Sequence, residues 1–583
     1  MALETSLVAK LDALISDVLA DWNIYTTAIA GAIVAFVVLS FLSSKEPDIH
    51  PFLLARQSSA FPVRQPGESS SYRSLETPHG FPLRSGLNVK DPGAPKWTSG
   101  RRGDLRDVWK IAVRGAVDEN GQSSGKQGKI YTVLGRKAIE HSLDQVTQDI
   151  NIIGHHLQSC ETKTVAICLT DSVELLAAIF AGAFYDFKII IIPHNLDPES
   201  LSALLQKSQA EALIAEAGAL DLSYVAKENK QLRRVIWVAK LGSRHMDWND
   251  VSEDVKSSLE VKVWHELIEE KKNLAGLDVP SWDPSSPTPS LTTIWTSESG
   301  PGDFVEYKPE NLISGIAGLT FSLPRNQRFG PTDLVLSIDS LSRSYPLCQI
   351  MAALYSNASI AVNSVAGESV DFALATVGVS PTVIVASSRT MAHYHDQFME
   401  PNSGIITSLA RWWHVRDLDA GTMPSHGLVS QLATVGPTAE LSLDKLRLLC
   451  ISHRFDADRE VRLTFDQLTD LRVLTGARTV YALTGPGIAG AVSQTNLFDY
   501  RRFNGSSPFG APLSSVEILL TGVDEDKEPE GQVCDSCFLY VAHFSIYADG
   551  LQQITVAGPA VISGKTTLPA QGRIRDDNTL ELA

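Results

Sequence analysis

The chain has 583 residues, a length that allows about four compact units at roughly 150 residues per domain. Its 50 basic and 67 acidic residues give a formal net charge of −17, which opposes binding to nucleic acid. Six cysteines in so long a chain cannot form a disulfide framework, so the composition favours a globular protein of a reducing compartment.

Two N-terminal segments come first, an amphipathic one at residues 1–23 and an apolar one at residues 24–43. From Ile24 to Leu42 no residue is charged, and a helix of that length spans roughly 28 Å, close to the hydrocarbon thickness of a bilayer. A cleavable signal peptide is one alternative, but the preceding residues are acidic where a signal peptide is basic. A buried helix of a soluble protein is another. The pattern predicts a transmembrane anchor.

The flanking charges predict the orientation of this segment. The residues before it are acidic, whereas Lys45, Arg56, Arg64 and Arg73 follow it. Since basic residues collect on the cytoplasmic side of a span, we expect a lumenal N-terminus and a cytosolic body.

The remaining chain divides into four predicted parts. Residues 44–103 are rich in Pro, Ser and Gly and predict a linker. In residues 104–290 and again in 291–515, strand-like apolar runs alternate with helical stretches, which predicts two αβ subdomains with largely parallel sheets. Residues 516–583 contain short β runs and predict a small β-rich subdomain.

Three polar or glycine-containing stretches follow predicted strands. The first, IWTSESGPGDFVEYKPENL, occupies residues 294–312, and the second, TVYALTGPG, occupies residues 479–487. The third, FGAP at 509–512, leads into the β-rich part. Their order and spacing resemble the adenylate-forming (AMP-binding) superfamily, most closely its acyl-CoA synthetase branch, from roughly Thr132 to Ala583. The resemblance implies an α/β fold of two αβ subdomains plus a small β-rich one.

In that family a Ser/Thr/Gly turn wraps the ATP triphosphate, since small residues let backbone N–H groups approach phosphate. The resemblance assigns this role to Thr296, Ser297, Ser299 and Gly300. A family glycine is replaced by Glu298, and the family lysine position becomes Asp303. A carboxylate about 6 Å from a phosphate charge costs roughly 3 kcal/mol at an effective dielectric near 20.

Two further family motifs have also lost acidic residues. Tyr481 and Thr484 match the motif Y-G-x-T-E, but Gly485 stands where the family places a magnesium-binding glutamate. Ala570 stands where the family places the aspartate that binds the ribose. The family also carries a C-terminal domain after this point, and we expect its functions to be lacking here.

The resemblance therefore implies a pseudoenzyme with no catalytic residue, no metal site and no expected cofactor. A remnant nucleotide site is expected, formed by Thr296, Ser297, Ser299, Gly300, Tyr481 and Thr484. The expected partners are the membrane, an acyl chain or nucleotide in the cleft, and proteins of lipid metabolism, with the endoplasmic reticulum as the membrane. The alternative is an active long-chain fatty acid–CoA ligase, or another acyl-adenylate-forming enzyme, that uses ATP and magnesium.

Two other motifs in the sequence suggest different kinds of site. Gly485 to Gly490 match G-x-G-x-x-G, but a dinucleotide site needs a crossover helix that the following polar residues do not predict. Cys534 and Cys537 form a single C-x-x-C, which supplies two of the four ligands of a structural zinc site. Free thiols are the simpler interpretation.

Overall fold

A computed structural model describes most of the chain. The described residues are 23–42, 46–90, 93–95, 97–117, 124–239, 259–273, 275–296, 302–367, 369–399, 405–424, 443–455, 461–503, 505–522 and 552–582.

The helices within these ranges are, in chain order, α1 Ile24–Leu42, α2 Pro51–Ala55, α3 Leu105–Arg114, α4 Leu143–Ser159, α5 Val173–Tyr185, α6 Pro198–Ser208, α7 Leu222–Glu228, α8 Trp264–Lys271, α9 Pro309–Ser322, α10 Ser344–Tyr355, α11 Phe372–Thr376, α12 Ser388–Met399, α13 Ile405–Asp419 and α14 Phe465–Thr475.

The strands within these ranges are β1 Ser58–Ala60, β2 Tyr72–Ser74, β3 Ile130–Leu134, β4 Lys137–His141, β5 Thr164–Cys168, β6 Lys188–Ile191, β7 Ala212–Glu216, β8 Arg234–Val238, β9 Glu260–Val263, β10 Leu291–Trp295, β11 Asp303–Tyr307, β12 Leu334–Ser337, β13 Ser359–Asn363, β14 Val383–Ser387, β15 Leu448–Arg454, β16 Arg478–Thr484, β17 Ser493–Gln494, β18 Ala511–Pro512, β19 Glu517–Thr521, β20 Gln552–Ala557, β21 Lys565–Ile574 and β22 Leu580–Leu582.

Two large sheets form the αβ part of the fold. The first has seven strands in the order β11-β10-β6-β5-β7-β8-β9, and β11 is its antiparallel edge strand. The second has nine strands in the order β18-β17-β16-β15-β14-β12-β13-β3-β4, with a parallel centre from β16 to β3. Their central strands are buried on both faces, as parallel strands covered by helices are. The predicted α/β architecture is therefore present.

The helices between the two sheets pack closely because their sequences are small and apolar. Every residue of α5 is buried except Glu174 and Phe184, and the Ser172 side chain caps its N-terminus by accepting from the Leu175 N–H. Helix α4 approaches α5 at Gly154, where the Tyr185 ring occupies the space that a side chain would need. The resulting apolar core is continuous through both large sheets.

The third sheet has six strands in the order β1-β2-β19-β20-β21-β22. It contains the predicted β-rich region. Strands β1 and β2, however, come from residues 44–103, so the prediction that these residues form a linker is wrong. Strand β2 pairs with β19, and Arg73 Nε lies 2.7 Å from Glu517 Oε2. The Gln57 N–H also donates to the Asp577 carbonyl. The hydrophobic pattern of residues 44–103 has little periodicity because the strands in it are short and pair with the distant C-terminal region.

The predicted boundary between the αβ subdomains also needs correction. We place 291–515 in the second subdomain, yet β10 and β11 belong to the seven-stranded sheet. Conversely β3 and β4, inside the predicted range 104–290, form the edge of the nine-stranded sheet. The chain therefore crosses between the two sheets more often than the order of its elements indicates.

Helix α1 occupies the segment for which we predict a transmembrane helix, residues 24–43. None of the helices in the described ranges is long and apolar enough to cross a membrane. The predicted transmembrane helix is accordingly not supported by the structure. The amphipathic segment predicted for residues 1–23 lies outside the described residues, apart from residue 23.

Candidate functional site

A cavity of about 220 Å³ opens where the carboxyl ends of strands from both large sheets converge. The seven-stranded sheet contributes residues 193–196 after β6 and residues 293–296 at the end of β10. The nine-stranded sheet contributes residues 339–340 and 342–346 after β12, with Ser452 and Arg454 from β15. Thr484, the last residue of β16, also lines it. The carboxyl edge of parallel strands is the usual position of a ligand site in an α/β protein.

The structure brings two of the six predicted site residues to this cavity. Thr296 lines it directly after the end of β10, and Thr484 lines it from β16, where the Thr484 hydroxyl donates to the His453 carbonyl at 3.0 Å. Tyr481 does not line it, because its ring is fully buried and its hydroxyl accepts from the Leu463 N–H at 3.2 Å. The remaining three predicted residues lie outside the described residues, namely Ser297, Ser299 and Gly300.

The positions that lack the family's charged groups occupy three different environments. Asp303, at the family lysine position, does not line the cavity, and its side chain is 86% exposed with Lys207 Nζ at 3.9 Å. At Gly485 an added Cβ would lie 2.9 Å from Cδ2 of Leu568, a fully buried side chain of β21. Ala570 is buried two residues further along β21. The second and third motif regions therefore meet in space without a carboxylate at 485 or 570.

Arg454 is a cavity residue that the sequence did not reveal. Its guanidinium carbon lies 4.4 Å from the centre of the Trp295 ring, and Nη2 donates to the Thr296 carbonyl at 3.1 Å. A second bond runs from Nη1 to the Thr296 hydroxyl at 3.3 Å. Because Arg454 belongs to the nine-stranded sheet and Trp295 to the seven-stranded one, this side chain joins the two sheets across the cavity.

A second arginine, Arg343, lines the same cavity beside a buried acid. Arg343 Nη1 lies 3.1 Å from Asp339 Oδ1, and Asp339 is fully buried. The Ser340 N–H and the Ser452 hydroxyl also donate to the Asp339 carboxylate. Burial raises the pKa of Asp339, although Arg343 and Arg454 act in the opposite direction.

Asp171 forms a second buried carboxyl next to this loop. It follows β5 of the seven-stranded sheet, and both of its oxygens accept from the Leu341 N–H at 3.0 Å. Complete burial holds the pKa of Asp171 well above its usual range, and neighbouring Asp339 adds to the effect. The Asp171 carboxyl therefore holds the loop after β12 through the Leu341 N–H, in surroundings that oppose its ionisation.

His453 lies behind the cavity and is a structural residue. Burial lowers its pKa to about 4, so its ring is neutral at physiological pH. The ring packs near Tyr481 and Phe509, with centroid distances of 6.2 Å and 5.3 Å. Sequence patterns gave little signal for His453, Arg454 or Arg343. The run LRLLCIS is the pattern that could have located Arg454, because a strand buried along its whole length brings its last residues to the edge of the sheet.

The described lining favours an anionic ligand. The lining contains two guanidinium groups, the His194 ring and one carboxylate, that of Asp339, and several hydroxyls add hydrogen-bonding capacity. Among the residues that the structure describes, no group of three or more His, Cys, Asp or Glu side chains could hold a metal ion. Cys534 and Cys537 lie outside those residues. After Gly490 the chain forms the short strand β17, which differs from the crossover helix of a dinucleotide site.

Comparison with solved structures identifies the fold as that of the adenylate-forming enzymes. The anthranilate CoA ligase AuaEII has a TM-score of 0.54 at 12% identity, with 85% of this chain and 78% of that chain covered. A long-chain-fatty-acid-CoA ligase (FadD1) from Archaeoglobus fulgidus has a TM-score of 0.55 at 10% identity, with 86% of both chains covered. A luciferase-like enzyme from the mealworm Zophobas morio also has a TM-score of 0.55 at 10% identity, with 86% and 98% covered.

Sequence comparisons add one relative. YHR045W, a putative uncharacterized protein of Saccharomyces cerevisiae, is 24% identical over 501 residues, which are 81% of this chain and 80% of that protein. No family model matches the chain. The fold is therefore that of the adenylate-forming enzymes, and the chemistry of the cavity has to be inferred from its residues.

Proposed function

We propose that this protein is a non-catalytic relative of the acyl-CoA synthetases that binds an anionic acyl ligand and acts as a binding or scaffolding protein in lipid metabolism. The observation that carries the proposal is Arg454, which spans the cavity from β15 to Thr296 and Trp295. A guanidinium in this position suits a carboxylate or phosphate ligand.

The lack of catalysis is inferred from the positions where the family has an acidic residue and this chain has none. Adenylation needs a magnesium ion, which binds through carboxylates and phosphates. In this chain Gly485 abuts Leu568, and Ala570 is buried without a polar group. Removal of one group that stabilises transition-state charge costs about 10²–10³ in rate, so the loss of several leaves little activity.

The ligand class follows from the charge and size of the cavity. Arg343 and Arg454 supply positive charge, and Leu196, Trp295 and Pro346 supply apolar surface. A volume of about 220 Å³ accommodates a head group or a short acyl segment. We therefore expect the cavity to hold the carboxylate end of a fatty acid or part of an acyl-CoA.

Thermal unfolding of the purified full chain tests ligand binding. Fatty acids of graded length and acyl-CoA should each raise the midpoint without ATP or magnesium, since a ligand at 100 times its Kd stabilises by about 2.7 kcal/mol. Arg454→Gln should abolish this shift. Arg573→Gln is the matched control, because the Arg573 side chain on β21 is 62% exposed and pairs with Glu581 on β22, away from the cavity lining.

The alternative function is an active ATP-dependent long-chain fatty acid–CoA ligase or acyl-adenylate-forming enzyme. It is favoured by the meeting of Thr296 and Thr484 at one cavity. Pyrophosphate release by the full chain with fatty acids, ATP and magnesium distinguishes the two functions, with a conventional acyl-CoA synthetase as positive control. Turnover that disappears in Thr484→Ala would establish the ligase and refute the binding role.

We also propose that the protein resides at the endoplasmic reticulum membrane with its body on the cytosolic side. The uncharged segment 24–42 and the basic residues after it support this location. Asn357 and Asn504 each begin an N-x-S/T sequence, so their glycosylation in cells would place the body in the lumen and contradict the proposal.

A further inference from the structure

Helix α13 carries large apolar side chains on its outer face. Its inner face contains Ala410 and Leu418, which are buried against Val473 and Tyr500. On the outer face Leu409 is 65% exposed and Trp412 is 53% exposed. A surface helix of a water-soluble domain normally presents polar residues there, so an exposed Leu and Trp indicate a binding surface.

Helix α1 contacts α13 next to these residues. The Phe36 ring of α1 meets the Trp413 ring edge-on, with a centroid distance of 5.7 Å. Trp413 in turn lies next to Trp412, with a centroid distance of 6.5 Å. The apolar side chains of α1 are themselves exposed, including Ile33 at 58% and Val34 at 62%. The exposed surface of α13 is therefore continuous with that of an uncharged helix.

Helix α2 follows a segment that contacts the chain at the C-terminal end of α13. The chain before α2 is held there because the Asp48 N–H donates to the Gly421 carbonyl at 2.9 Å. The Asp48 carboxylate also accepts from Tyr500 and Arg478. Three residues later α2 begins, and its Phe52 is 78% exposed.

We propose that these helices form a docking face for the surface of a phospholipid bilayer. The face is defined by Phe52 and Leu53 of α2, Leu409 and Trp412 of α13, and the exposed residues of α1. Tryptophan and leucine side chains on one face of a helix favour the boundary between head groups and acyl chains. The argument for a bilayer is the continuity of this face with α1, a helix without any charged residue. The proposal rests on the membrane location above and is independent of the ligand in the cavity.

Quenching of tryptophan fluorescence by brominated phosphatidylcholine tests this proposal. The full chain is reconstituted into vesicles of phosphatidylcholine and phosphatidylserine, with and without brominated acyl chains. We expect bromolipid to quench part of the emission, and Trp412→Phe to remove a component of that quenching. Trp97→Phe is the matched control, because Trp97 is 88% exposed but lies outside the three helices. It should leave the lipid quenching unchanged.

Three results would overturn the docking face. Equal bromolipid quenching in the wild type and Trp412→Phe would show that Trp412 does not touch lipid, even if the protein remains attached to the vesicles. A dimer in sedimentation that Leu409→Asp dissociates would assign the face to a second copy of the chain. A protein that does not associate with vesicles at all would refute the membrane location together with the docking face, and would leave the cavity proposal intact.

Discussion

A side chain at position 485 must compete with Leu568 for space, and this can be measured. An added Cβ at Gly485 would lie 2.9 Å and 3.5 Å from the two Cδ atoms of Leu568, and 3.6 Å from Cδ1 of Ile488. Overpacking of a buried site typically costs about 1–3 kcal/mol, so Gly485→Ala should destabilise the protein by that amount. Leu568→Ala removes both Cδ atoms and should cost about 2–5 kcal/mol because it leaves a cavity.

The double variant reveals whether the two positions share one space. In the Leu568→Ala background the substitution Gly485→Ala has room, so we expect it to cost almost nothing and the cycle to show a coupling of about 1–3 kcal/mol. Thermal midpoints of the four proteins, with circular dichroism as a check of the fold, provide the measurement. Strict additivity, or a stabilising Gly485→Ala, would refute the steric reasoning. The site would then have room for a metal-binding carboxylate.

Two further predictions concern stability in other parts of the fold. Burial and neighbouring Glu174 raise the pKa of Asp149 to about 7, against the weaker opposite effect of Lys272. The protonated carboxyl therefore contributes stability that is fully present below pH 4 and is lost as the pH rises through 7. Asp149→Asn should therefore exceed the wild type in stability by more at pH 8 than at pH 5, and the gap should widen by about 1–2 kcal/mol between these two values. Urea unfolding at both pH values measures the gap, and a gap that stays constant would contradict the reasoning. Glu517→Gln removes the partly buried partner of Arg73 and should cost about 1–2 kcal/mol, whereas an unchanged thermal midpoint would mean that β2 contributes little to its sheet.

Local sequence patterns predicted the elements better than their arrangement. The alternating runs gave the parallel strands, because a strand buried on both faces is continuously apolar. Membership of a sheet is a tertiary property, so β10 and β11 were placed in the wrong subdomain. The short strands β1 and β2 gave no periodic signal because each has three residues.

The residues of the candidate site were likewise predicted only in part from the sequence. Thr296 and Thr484 are predicted from the resemblance to the family motifs, and both line the cavity. Arg454 was missed because an arginine after an apolar run is usually exposed, whereas here it is 6% exposed and stacks on Trp295 from another sheet. The position of the Arg454 side chain depends on contacts with residues that are distant in the chain, and a single sequence does not reveal such pairs.

The six-stranded sheet has a consequence for synthesis of the chain on the ribosome. Its strands β1 and β2 are translated well before their partner β19, which begins at Glu517, 446 residues after Ser71. At about 5–20 residues per second, these strands wait roughly 20–90 s for their partner to be translated. Until then their edges are exposed, and unpaired edges favour aggregation. Chaperone engagement of the nascent chain should accordingly persist until the last strands emerge.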